Sequence, residues 1–128
     1  MLPHDKALGI ITAKASSLTP EVLKATGVPA SFERLVIAGL EDGPRFAAAF
    51  LTYSHDLDVG AVVKETLDAA VSLVNNHRNV GMLLFECSEL PPYAAAVQRA
   101  TSIPVFDFTS MVEFVVGSLI RQSFIGLD

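Results

Sequence analysis

The sequence predicts an α/β protein built on a single open, mostly parallel four-stranded sheet flanked by helices, and three observations carry that expectation. Four short apolar runs recur, at 8–12, 35–40, 80–85 and 103–108. They are continuous rather than alternating, as strands are when both faces of a parallel sheet are covered. Helical patterns separate them, and strand–helix alternation winds an open sheet through right-handed crossovers. The 128 residues match the size of one domain, about 100–150 residues, so 1–128 reads as a single α/β domain.

The first run follows Asp5 and Lys6 and ends at Thr12. A short apolar stretch ahead of Ala13-Lys14-Ala15 imitates a signal-peptide cleavage site, but Asp5 in the would-be basic region favours a first strand. Thr19-Pro20-Glu21 offers a capping hydroxyl and then proline at the first helical position, with Gly27 as the stop, so a helix spans 20–26. After the second run, Gly43-Pro44 opens another helix, to about residue 53. Asp58 caps a longer one to about residue 77, with Val59, Val62, Val63, Leu67, Ala70, Val71 and Val74 on its apolar stripe. Lys64, Glu65, Asp68, Ser72 and Asn75 form its solvated face, with Lys64 and Asp68 at pairing distance. A helix over 91–101 follows the third run. The last helix, from Thr109 or Ser110 to about residue 121, is apolar around much of its circumference, so it is either sandwiched or makes an interface.

Composition narrows the function. Hydrophobic residues make up 51% of the chain and charged residues only 18%, against a usual charged share of about 25%. That balance leaves apolar surface for a partner. Fourteen acids against nine bases give a net charge of −5, and the bases are scattered. Nucleic acid is therefore not expected as a partner, because neutralising phosphates requires a concentrated basic face. No apolar run approaches the ~18 residues of a membrane span, so no membrane is expected either. One cysteine, Cys87, can form neither an internal disulfide nor a multi-cysteine zinc site, which points to a reducing cytoplasm.

Ligands of open α/β sheets bind beyond the carboxyl ends of the strands. Those ends are Thr12-Ala13-Lys14, Glu41-Asp42-Gly43, Glu86-Cys87-Ser88 and Asp107. Cys87 stands before a turn and a helix, where backbone amides favour a thiolate. Glu86 opposes that effect, and Pro91 and Pro92 bring no amide hydrogens. The amides of Ser88, Glu89 and Leu90 and the Ser88 hydroxyl remain to cradle a carboxylate. The plainer alternative for Cys87 is a small buried hydrophobe; for Thr12 it is a capped turn, and for Glu41 and Asp42 a hydrogen-bonded loop. His4, His55 and His77 are not spaced as a metal pair, and no glycine-rich phosphate fingerprint follows a strand.

The stretch Leu83-Leu84-Phe85-Glu86-Cys87-Ser88-Glu89-Leu90-Pro91-Pro92-Tyr93-Ala94, continued to Asp107, resembles the carboxyl-terminal lobe of the aspartate/glutamate/hydantoin racemase superfamily. Thr12, the Leu18-Thr19-Pro20 turn and Leu40-Glu41-Asp42 extend the resemblance over nearly the whole chain. It implies a cofactor-independent isomerase, without pyridoxal phosphate, in which two lobes hold an amino acid or related carboxylate between them. Each lobe then supplies one cysteine for proton transfer at the α-carbon. By resemblance Cys87 is the second-lobe catalytic thiol, Ser88 stands where threonine is usual and holds a carboxylate, and Glu86 and Thr12 contact substrate. The first lobe and its cysteine are absent from the chain, so the resemblance makes activity conditional on pairing, either in a homodimer or with a separate first-lobe chain. The alternative is a non-catalytic binding or interaction module derived from that lobe. A receiver-like domain would need clustered acids after the first strand, where Thr12-Ala13-Lys14 stands.

Overall fold

The computed structural model describes residues 2–29, 31–52, 54 and 56–126. Four parallel strands form one open sheet in the order β2-β1-β3-β4: β1 (Ala7–Thr12), β2 (Leu35–Gly39), β3 (Val80–Phe85) and β4 (Val105–Phe106). The expected α/β architecture is therefore present. β1 lies between β2 and β3, with Ile10 opposite Ile37 on one side and Leu84 on the other.

The helices form where the caps direct them. Thr19 accepts the Val22 amide at the start of α1 (Pro20–Ala25), and Gly27 ends it at a φ of 87° that an L side chain resists. Pro44 starts α2 (Pro44–Phe46), which widens into a π-helical turn over Ala47–Leu51; the expected end near residue 53 and His55 lie outside the described residues. Asp58 caps α3 (Val59–Asn76) through the Ala61 amide. A 3-10 turn, Pro91–Tyr93, leads into α4 (Ala94–Thr101).

The core lies between one sheet face and the α3–α4 pair. Ile11, Leu83 and Phe85 from the sheet meet Val62, Ala70 and Leu73 of α3 and Val97 of α4, with Phe46 and Leu90 closing the ends. The buried line of α3 is Val62, Thr66, Ala70 and Leu73, at a helical repeat of three to four. Thr66 is tolerated there because its hydroxyl donates to the Val62 carbonyl at 2.8 Å. Val59, expected on the stripe, is exposed, since it sits in the first turn beyond the sheet edge of the packing. On the opposite sheet face Leu8, Ile37, Met82 and Leu84 are only half-buried. The cover expected on both faces is thus complete on one.

Two expected boundaries change at the end of the chain. The fourth run shortens to Val105–Phe106, and α5 (Phe108–Leu119) begins one residue before Thr109. Asp107 causes both changes. Its carboxylate accepts the Ser110 amide at 2.7 Å, while its own amide donates to the Ser110 hydroxyl at 3.0 Å, so a capping box takes over from the strand. The last helix is not sandwiched: it has no substantial packing against another described element, and residues 111–120 are all exposed. Among the described residues no helix is long and apolar enough to cross a membrane.

Candidate functional site

The strand order creates the site. From β1 the chain moves outward to β2, then crosses back over β1 to β3, so the connections diverge between β1 and β3. In open α/β sheets that switch point opens a crevice at the carboxyl ends of the two strands. Thr12 ends β1 there, and Glu86, Cys87 and Ser88 follow β3. The four residues proposed from sequence are brought to one place.

Backbone and side chains both join the two sides. The Glu86 amide donates to the Ile11 carbonyl at 3.0 Å, extending the β1–β3 ladder by one step. The Thr12 hydroxyl then donates to Glu86 Oε2 at 2.7 Å. Thr12 is 2% exposed whereas Glu86 is open to solvent, so a buried hydroxyl holds a surface carboxylate. Cys87 is half-buried against the core and Ser88 is exposed. Polar groups therefore stand at the two strand ends, with the thiol resting against the core.

The electrostatics of Cys87 differ from the sequence expectation. Burial pushes its pKa up, the Glu89 backbone amide pulls it down, and the charges of Glu86 and Glu89 push it up again. The thiol form is favoured, not the thiolate. One of the amides expected to cradle a ligand is also occupied: Leu90 donates to the Cys87 carbonyl at 3.1 Å, closing a turn. The Glu89 amide is directed at the Cys87 sulfur, so the Ser88 amide and hydroxyl are the remaining candidate donors. A thiol that resists ionisation is a stronger base than an ordinary thiolate once it does lose its proton.

The other strand ends take structural parts. Glu41 accepts the Ala15 amide with both oxygens, at 3.0 and 3.2 Å, the hydrogen-bonded-loop alternative. Gly39 permits this, because a Cβ there would overlap the Glu41 carboxylate and approach Ala15 N at 2.7 Å. Asp107 is consumed by its capping box. Glu65 corrects the reading of α3, since it is more than part of a solvated face: it accepts the amides of Arg45 at 3.0 Å and Phe46 at 2.7 Å, tying α3 to α2. No local pattern signals that role, since the amides lie 20 and 19 residues away, and only Gly43, whose added Cβ would meet Glu65 Oε2 at 2.5 Å, hints at the close approach. A separate apolar cleft of about 370 Å³ lies between α1 and the start of β2, away from the carboxyl ends of the strands.

The fold and crevice thus define an open, doubly wound α/β protein with a thiol, a carboxylate and two hydroxyls at its switch point. Dimethylsulfoniopropionate lyase 3 of Emiliania huxleyi (strain CCMP1516) is 35% identical over 97% of this chain, a match that covers 34% of that protein. Dimethylsulfoniopropionate lyase 7 of the same organism is 29% identical over 94% of the chain and 37% of its own length. A dimethylsulfoniopropionate lyase of Durusdinium sp. clade D is 28% identical over 97% of the chain and 42% of its own length. The chain spans about a third of the length of the first curated relatives it matches. No protein-family model and no solved structure matches it.

These relatives correct the reaction expected from the racemase resemblance. They are named for cleavage of a sulfonium compound, not for inversion of an amino acid, so racemase and isomerase are withdrawn as descriptions of the chain. The non-catalytic module gains no support from relatives that are named as enzymes. The expectation rested on the motif around Glu86-Cys87-Ser88 and its continuation to Asp107, and a motif of that length carries a fold and a thiol position but not the bond that is broken.

Proposed function

We propose that the chain is the thiol-bearing α/β unit of a lyase that cleaves dimethylsulfoniopropionate. The observation that carries this reading is the 35% identity to dimethylsulfoniopropionate lyase 3 over 97% of the chain. The chemistry of the crevice supports it. The substrate is a small carboxylate with a dimethylsulfonium cation at its β-carbon. In a lyase reaction a base removes a proton from the carbon beside the carboxylate, and the released C–H electron pair forms a C=C bond. The C–S bond breaks with its electrons going to sulfur. The products are dimethyl sulfide and acrylate, and the proton stays on the base.

Cys87 is the proposed base. Glu86, oriented by Thr12, faces the cationic sulfur, and the Ser88 hydroxyl and amide hold the carboxylate. Burial is the main cause that keeps the free thiol protonated, and the charges of Glu86 and Glu89 add to it; a sulfonium cation would neutralise that added part. Substrate binding would therefore favour the thiolate that the reaction needs. Residues 1–128 act as one α/β unit in this reading, and an unpaired catalytic thiol fits a reducing compartment such as the cytoplasm.

The test is dimethyl sulfide in the headspace over the purified chain and dimethylsulfoniopropionate, with acrylate measured in parallel. Equal amounts of both products are expected. Cys87→Ala should abolish release while leaving substrate binding detectable by saturation-transfer NMR. A wild-type chain that neither releases dimethyl sulfide nor binds the substrate overturns the reading.

A further inference from the structure

Eleven of the fifteen exposed large hydrophobic side chains among the described residues lie between Phe106 and Ile125, so the apolar surface is concentrated on α5 and its flanks. The pattern within α5 is ordered. Phe108, Val112, Val115 and Leu119 follow one another at spacings of four, three and four residues. That is the 3.5-residue repeat of a helix that packs along another helix. Met111 and Val116 widen the stripe on either side, while Ser110, Glu113 and Gly117 occupy the opposite face. Phe114 stands off the stripe although it is 79% exposed.

We propose that this seam is the contact between two copies of the chain, formed by α5 against α5 of the second copy in antiparallel orientation. Three observations select this occupant. The seam carries no charge, and Glu113, the single charged side chain of α5, faces away from it. A second copy therefore brings no like charges into the contact. The order Phe-Val-Val-Leu is self-complementary when reversed: Phe108 meets Leu119 and Val112 meets Val115, large against large and small against small. A two-fold axis through the middle of the seam satisfies both copies at once, and antiparallel helices also oppose their dipoles. The area is of the right order. At about 100 Å² of exposed surface each, the six stripe residues offer roughly 600 Å² per chain, and the exposed Phe106 beside the helix start adds to it, against the ~800 Å² per partner of a standard interface.

This inference stands on α5 alone and does not depend on the lyase reading. Its test is sedimentation velocity of the 128-residue chain across micromolar concentrations, with far-UV circular dichroism as the folding control. Wild type is expected at twice the 13.6 kDa chain mass. Val115→Glu should return it to the single-chain mass with its other secondary structure intact, since Val115 lies outside the core. Phe114→Ser removes more exposed surface from the other side of the helix and should leave the dimer unchanged. A monomeric wild type overturns the proposal. Open-ended association, or equal effects of Val115→Glu and Phe114→Ser, overturns it as well, because either outcome means general adhesion and not a seam.

Discussion

Thr12 shows how much one hydroxyl can organise. Its backbone completes the β1 ladder while its side chain, fully enclosed, holds a carboxylate that is itself open to water. Thr12→Val keeps the shape and deletes the donor. It should cost about 1 kcal/mol in urea unfolding, the usual net value of one hydrogen bond. If Glu86 recognises the sulfonium, the same change should raise KM for dimethylsulfoniopropionate several-fold while changing kcat less. An unchanged KM would remove Glu86 from substrate recognition without touching the part assigned to Cys87. Thr12, Glu86, Cys87 and Ser88 were all legible in the sequence because a strand end is a local signal. The direction of the Cys87 shift was not, since it depends on how deeply the thiol sits and on the combined charge of two acids.

At the level of elements, the three long strands were legible because continuous apolar runs have few other uses in a chain of this size. β4 was overextended for the same reason: apolarity continues through Phe108, and only the Asp107–Ser110 box marks where extended backbone ends. That box matters more than usual. α5 gains little from packing within its own chain, and isolated helices shorter than about 12–15 residues are marginal in water. Asp107→Ala should remove about 1 kcal/mol from the helix. The expected result is loss of α5 protection in amide hydrogen exchange, with β1 and β3 unaffected. Equal loss across the sheet would mean that α5 is coupled to the core after all.

For the molecule as a whole, the ionisable groups near the crevice set how stability depends on pH. Burial raises the pKa of both Cys87 and Tyr93; the charge of Glu89 adds to both, and that of Glu86 to Cys87. The folded chain therefore keeps protons that the unfolded chain has already released. The stabilisation is complete below the unfolded thiol pKa, about 8.5, and is lost as pH rises through the folded values. The urea midpoint should fall between neutral pH and about pH 10, and Cys87→Ala should flatten the first part of that decline. A midpoint insensitive to Cys87→Ala would show that the thiol titrates alike in both states.

The central position of β1 also governs how the chain comes into being. β1 is made before both of its partners, one of which is β3, and the bond that joins the two strand ends links residues 74 positions apart. At synthesis rates of about 5–20 residues per second, that closure lags the appearance of β1 by on the order of ten seconds. During that interval β1 can pair with β2 alone, leaving its other edge open to any extended chain nearby. Pairing with β3 thus covers the second edge of β1 and brings Thr12 and Glu86 together, so the order of the strands makes protection of that edge and assembly of the strand-end site the same event.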